Sequence, residues 1–314
     1  MSAETSIGVN KPAIVGESVF KKVARDLRYA EELTWFIDRD HNLDKFALEI
    51  AAGKYPIIVS NHTHHINIAA MNGVVKRLRV KPKDFYLVVA LSLLSGDQER
   101  DKENKRMREF AIGMQPVIAE SGITHVVPVL RPKDRNNFYK DRPEDLERDS
   151  RRSVENIKIL LDTVSQDQDA GVIIFPEGTI EGGRKDENGR RNGLQRPGEG
   201  NVLVPQIIAR AYRQGREVVI LPVGMVNANN IAEADSPHAT TRAKLAIGVQ
   251  ATLGRVGIKP KVAKVIIGEP YTTADMIKKG IGLHNKDLVN SEIMVRIAKL
   301  LPFNARGYLK HNKH

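Results

Sequence analysis

The chain is predicted to fold as α/β, with a mostly parallel or mixed central sheet flanked by helices and a helical segment at its N-terminus. Three observations predict this. Short apolar runs rich in β-branched residues recur, at Tyr55–Ser60 (YPIIVS), 172–175 (VIIF) and 218–223 (VVILPV), with the unbroken hydrophobicity of strands covered on both faces. Between them lie segments whose apolar residues repeat every three or four positions, the helical period. Strand and helix also alternate, the pattern of helices packed on a parallel sheet.

In chain order, residues 1–16 read as a flexible leader without the basic and apolar regions of a secretory signal. Over 17–38, Phe20, Val23, Leu27, Ala30 and Leu33 recur at helical spacing among Lys21, Lys22, Arg25 and Arg28, with Trp35 and Phe36 at the end. This predicts an amphipathic helix, docked on the domain or resting on an anionic bilayer. Residues 1–50 are therefore taken as leader and helix, and 51–314 as the α/β domain. Tyr55–Ser60 is a strand, and Ile66, Ala69, Ala70 and Val74 continue after it with helical spacing. Residues 85–94 form a second buried strand or a short core helix, and 122–131 a strand ending at Arg131. Residues 132–152 are the most polar stretch and read as a loop running into a helix start. The helix is expected over 153–164, with Val154, Ile157, Leu161 and Val164 on one stripe. Strands at 172–175, 218–223 and 262–267 follow, with a basic Gly-rich loop over 182–200 and a helix over 202–214.

The chain has 314 residues, of which 41% are apolar, enough for a sizeable core. Its formal charge of +11 favours anionic partners: phosphates, nucleotides or acidic headgroups. Aromatic residues are only 5% and do not alternate with basic ones, which argues against nucleic acid. With no cysteine, thiolate nucleophiles and cysteine-based metal sites are excluded. The longest apolar stretch, 85–94, falls short of the roughly 20 residues a spanning helix needs.

The chemistry concentrates where strands end. The run 172–175 stops at Pro176 and delivers Glu177, Gly178 and Thr179 together: a carboxylate, a residue that lets a ligand approach the backbone, and a hydroxyl. In an open parallel sheet ligands collect outside the carboxyl ends of strands. His62 likewise sits where a strand hands over to a helix, within NHTHHIN.

These segments resemble the blocks of the glycerolipid acyltransferase family, the glycerol-3-phosphate and 1-acylglycerol-3-phosphate acyltransferases. Asn61, His62 and the next four residues match the family's Asn-His-x4-Asp block up to its last position, which is Asn67 here. The Phe-Pro-Glu-Gly-Thr block is matched in full by Phe175, Pro176, Glu177, Gly178 and Thr179. Leu221, Pro222 and Val223 match the late strand block, and Gly268, Glu269 and Pro270 look like the family's following turn. Gly122 and Arg131 correspond to the second block at longer spacing. The resemblance covers about residues 55–271. It implies a single acyltransferase domain that moves a fatty acyl group from acyl-CoA or acyl carrier protein to the hydroxyl of glycerol 3-phosphate or a lysophospholipid. It also implies phospholipid biosynthesis at a membrane reached peripherally from the cytoplasm, without metal or redox cofactor.

In that chemistry His62 is the general base, since a neutral imidazole has a suitable pKa. Arg131 and Arg184, with Lys185 beside it, are candidate phosphate partners, and Glu177, Gly178 and Thr179 line the acceptor's turn. Two positions depart from the pattern. Asn67 replaces the carboxylate that orients the histidine, so a His–Asn dyad is expected, which can accept the ring N–H but carries no charge to offset an imidazolium. Ile180 stands where many members have an arginine, with Arg184 four residues on as a substitute. Two other functions are open at this point: a non-catalytic lipid- or phosphate-binding module on the same fold, and a metal-dependent hydrolase built on His62, His64 and His65.

Overall fold

A computed structural model describes residues 34–61, 67–90, 122–130, 143–167, 169–176, 203–226, 263–303 and 306. These form one mixed sheet of eight strands with helices on both faces. In chain order the elements are β1 (Thr34–Ile37), α1 (Asn42–Ala51), β2 (Tyr55–Ser60), α2 (Asn67–Arg77), β3 (Asp84–Ala90), β4 (His125–Val129) and α3 (Pro143–Gln166). They continue as β5 (Ala170–Ile174), α4 (Leu203–Arg213), β6 (Val218–Val226), β7 (Ala263–Ile267), β8 (Tyr271–Thr272), α5 (Thr273–Lys278) and α6 (Lys286–Leu300).

The sheet runs β1-β7-β6-β2-β5-β3-β4, with β8 also on β6. The block β6-β2-β5-β3-β4 is parallel throughout, whereas β7 and β8 run antiparallel to β6 and β1 lies parallel to β7. Alternate side chains of the central strands enter two separate cores. Ile57, Val59, Val172 and Ile174 pack with α3, α4 and α6; Ile58, Ile173 and Phe175 pack with α1 and α2. The β2-α2-β3 connection passes over β5 on one face. The β4-α3-β5 and β5-α4-β6 connections return in the opposite direction on the other face. Reversing face and direction together keeps one handedness, as parallel crossovers demand.

Several boundaries differ from the sequence expectation. The helix expected over 17–38 does not include 34–37: Thr34–Ile37 is a strand whose four residues pair in register with Ala263, Lys264, Val265 and Ile266. An aromatic and β-branched quartet gains more from sheet pairing than from the weak helical period that runs into it. Asp38 instead accepts the N–H groups of Asn42 (2.6 Å) and Leu43 (3.1 Å), satisfying the first turn of α1. Residues 1–33 lie outside the described residues. Helix α3 begins at Pro143, ten residues before the expected start, with Glu144 and Asp145 in its first turn, where carboxylates favour the helix dipole. Its buried stripe is Asp149, Ser153, Leu160 and Val164, so Val154 faces solvent at 66% exposure. Among the described residues no helix is long and apolar enough to cross a membrane.

Close approach fixes two glycines. A Cβ on Gly268 would meet Pro222 Cγ and Leu300 Cδ1, both at 2.9 Å. One on Gly171 would lie 2.6 Å from Phe85 Cε1 and 2.9 Å from Pro56 Cγ. Gly171→Ala therefore overpacks the ring of Phe85 and is expected to cost about 1–3 kcal/mol, read as a lower urea midpoint with unchanged slope.

Glu292 of α6 contributes to the acid sensitivity of the fold. Burial raises the Glu292 carboxyl, but hydrogen bonds from Lys279 Nζ (2.7 Å) and Arg296 Nε (2.6 Å) outweigh it and leave the pKa below its ordinary value. Arg296 also lies over the Tyr271 ring at 3.8 Å, tying α6 to β8. A depressed folded pKa gives stability that is present above the unfolded value, about 4.3, and lost as pH falls through the folded one. Glu292→Gln should be less stable than wild type at neutral pH and lose less stability on acidification, measured by urea unfolding across that range.

Candidate functional site

Strand β2 is buried along its whole length, and its backbone is satisfied by β5 on one side and β6 on the other. The registers align Ile174 of β5, Val59 of β2 and Pro222 of β6 in a single row. One step on, Ser60 faces Val223. Asn61 and Phe175, with which two of the sequence blocks begin, thus follow directly on adjacent parallel strands that end near one level, and Leu221, Pro222 and Val223 lie in the neighbouring strand at that level. The Gly-Glu-Pro turn joins them, because Gly268 N–H donates to Pro222 O at 2.9 Å. A strand residue's N–H and C=O point the same way, so the N–H that Pro222 lacks would have faced this turn rather than β2. The proline costs the central ladder nothing.

At the end of β2 the pairing continues through a side chain. Asn61, 1% exposed, donates from Nδ2 to Met225 O (2.9 Å) and accepts from Met225 N–H at Oδ1 (2.7 Å). The amide imitates a further backbone residue and carries the contact with β6 two residues past Val223. Ser60 Oγ donates to the Asn61 carbonyl at 3.2 Å. Sequence reasoning gave Ser60 and Asn61 no structural role. Their signal was two polar residues closing an otherwise apolar strand that is covered on both sides.

The chain leaves β2 after Asn61 toward α2 on one face, and leaves β5 after Pro176 toward α4 on the other. Because β2 and β5 are neighbours and the connections that follow them cross opposite faces, their carboxyl ends form the sheet's topological switch point, the place where ligands collect in open α/β sheets. Of the predicted site residues, Asn67 is the first residue of α2. His62, Arg131, Glu177, Gly178, Thr179 and Arg184 lie outside the described residues, as do His64 and His65. The sequence places His62 directly after Asn61, Glu177 directly after Pro176, and Arg131 directly after Leu130. Strand β4 is three positions from β2, or about 14 Å at ordinary strand spacing. Its exit is held by α3: Ser153 Oγ accepts from Leu130 N–H at 2.8 Å, and Asn156 Nδ2 donates to Pro128 O at 2.9 Å.

Burial shifts pKa values at the other end of the sheet. Tyr55, the first residue of β2, has its phenol pushed well up by burial, against the opposing charge of Arg216. Burial with the nearby Asp84 carboxylate raises Tyr86 to about 12. Arg216 is lowered by burial and caps α3 through bonds to Val164 O (3.0 Å) and Asp167 O (2.8 Å). These groups seal the amino ends of the strands. An open groove of about 690 Å³, lined by Tyr212, Arg213, Ile277, Ile281 and His284 among others, lies beside the last turn of α4 and contains none of the predicted site residues. Among the described residues no group of three or more His, Asp or Glu is arranged to hold a metal ion.

No family model matches the chain, and comparison with curated proteins gives no match.

Asn61→Leu would leave both Met225 backbone groups buried and unpaired, at about 1–3 kcal/mol each. The expected result is a lower unfolding free energy with faster hydrogen exchange at the Met225 amide. Unchanged protection there would contradict the bridge.

Proposed function

We propose that the protein is an acyltransferase that moves a fatty acyl group from a thioester donor, acyl-CoA or acyl carrier protein, to the hydroxyl of glycerol 3-phosphate or a lysophospholipid. The observation that carries this reading is the convergence of blocks. Asn-His and Phe-Pro-Glu-Gly-Thr issue from the carboxyl ends of neighbouring parallel strands at the switch point, and Leu-Pro-Val stands in the same row.

Transfer requires the acceptor oxygen to attack the thioester carbon. His62, the general base in this reading, takes the hydroxyl proton as the new C–O bond forms. The tetrahedral oxyanion is stabilised by backbone N–H groups where the chain enters α2, whose first turns offer unsatisfied donors. The C–S bond then breaks, and the proton on His62 passes to the departing thiolate. Glu177, Gly178 and Thr179 line the acceptor's side, while Arg131 and Arg184 neutralise its phosphate. No metal or redox group is required. A lipid acceptor would be met peripherally, at an anionic membrane on the cytoplasmic side, with the chain's +11 charge favouring that surface.

Asn67 at the start of α2 favours one other reading, a lipid- or phosphate-binding module without turnover. A neutral partner leaves an imidazolium uncompensated, and in a serine protease triad the corresponding change costs about 10⁴ in turnover. The two readings separate on thiol release from acyl-CoAs with glycerol 3-phosphate or lysophosphatidic acid. Acceptor-dependent release that disappears in His62→Ala, with folding retained, is expected, and Asn67→Asp should raise the rate. Binding of the acceptor without release in any combination would favour the non-catalytic module.

A further inference from the structure

The densest run of like charge among the described residues lies where α2 gives way to β3. Residues 76–83, KRLRVKPK, carry five basic side chains in eight positions, and 67–83 contain no acidic or aromatic residue. Lys76, Arg77, Arg79, Lys81 and Lys83 are all exposed, whereas Leu78 and Pro82 turn inward. The fold accounts for part of this. Lys76 and Arg77 close the last turn of α2, where cations favour the helix dipole, and Arg77 is also held over the Phe36 ring at 3.7 Å. Arg79 reaches Asp44 of α1 at 3.4 Å across open surface, a pair of little worth in water. Lys81 and Lys83 lie beyond the helix that the first two complement, and charges of one sign packed this closely repel one another.

Two exposed apolar side chains stand among the charges. Val80, 42% exposed, lies between Arg79 and Lys81. Leu48, 71% exposed, is one turn along α1 from Asp44 on the same face, beside the exposed Lys45. A polynucleotide would offer phosphates to the cations, but this stretch has no aromatic side chain for its bases to stack on, and Val80 and Leu48 would gain nothing. An anionic bilayer satisfies both: headgroups meet the cations, and the acyl boundary takes the apolar side chains.

We infer that the junction between α2 and β3, together with the outer face of α1, is the surface through which the protein meets an anionic bilayer, with Val80 and Leu48 entering between the basic side chains. The membrane itself rests on the acyl-transfer reading; the surface does not. It turns the α1–α2 side of the sheet toward the lipid.

Sedimentation of the full chain with vesicles of equal parts phosphatidylserine and phosphatidylcholine reads this contact without turnover, once every variant has been shown to keep the wild-type melting profile. A basic residue near such a surface is worth about fivefold in partition, so Arg79→Gln, Lys81→Gln and Lys83→Gln combined should weaken binding about 100-fold. The same change in charge at another exposed place, Arg213→Gln, Lys278→Gln and Lys286→Gln combined, should cost less than about fivefold, because exposed charges act over little more than a Debye length. Val80→Ser with Leu48→Ser should weaken vesicle binding about tenfold and leave binding to double-stranded DNA within about twofold. Equal losses in the two charge triples would overturn the inference, since net charge alone would then explain binding. Vesicle binding indifferent to Val80 and Leu48 would overturn it in favour of a polyanion such as nucleic acid, and a wild-type chain that does not sediment would overturn it outright. Thiol release with glycerol 3-phosphate, a soluble acceptor, tests the acyl-transfer reading separately. Sedimentation without release leaves the surface standing, and release without sedimentation removes the surface alone.

Discussion

Strand β2 is shut off from water on both faces and both edges, and the rest of the structure follows from that constraint. Its polar backbone groups have only β5 and β6 to pair with, which fixes the row that joins Ile174, Val59 and Pro222. The same exclusion of water explains Asn61. Beyond Ser60 the strand has no ladder to offer Met225, and the side-chain amide supplies both a donor and an acceptor in its place. A buried polar group that is fully satisfied makes its surroundings rigid. The end of β2 is therefore a fixed point.

The two ends of the parallel block divide the work. At the amino ends, burial displaces the titration of Tyr55, Tyr86 and Arg216, and Arg216 binds the carbonyls of Val164 and Asp167 while lying over the Tyr55 ring. At the carboxyl ends, the connections after β2 and β5 lead to helices on opposite faces, and in the sequence His62 follows Asn61 and Glu177 follows Pro176. Glycine at 268 belongs to the same economy of space: only a residue without Cβ lets the turn after β7 bond to Pro222 beneath Leu300.

Much of this fold was legible in the sequence because its strands are buried on both faces. YPIIVS and VVILPV are apolar runs rich in β-branched residues and too short for a helix of ordinary length, which marks them as strands covered on both faces. Elements held by tertiary pairing were harder to see. Thr34–Ile37 becomes a strand through its register with β7, 229 residues away at Thr34 and Ala263, and nothing local outbids the helical period that enters it. The early start of α3 was hidden by charge, since residues 143–152 (PEDLERDSRR) carry Leu146 as their one large apolar residue, and the helix's buried face opens with Asp149 and Ser153. Helices α1 and α6 did carry a signal: Leu43, Phe46 and Ala47 in one, and Val289, Ile293 and Ile297 in the other, recur at helical spacing. Of the candidate site, the sequence supplied the residues and the fold supplied the adjacency of β2, β5 and β6. Adjacency depends on strand order, which local pattern does not encode.

The central claim is that the carboxyl ends of β2 and β5 form the site where acyl donor and phosphate-bearing acceptor meet. A crystal structure of the protein with coenzyme A and glycerol 3-phosphate bound tests it most directly. The account predicts the thiol and the acceptor hydroxyl beside His62, with Glu177 on the acceptor's side. Both ligands seated elsewhere, in the groove beside Tyr212 and His284 for instance, would contradict it.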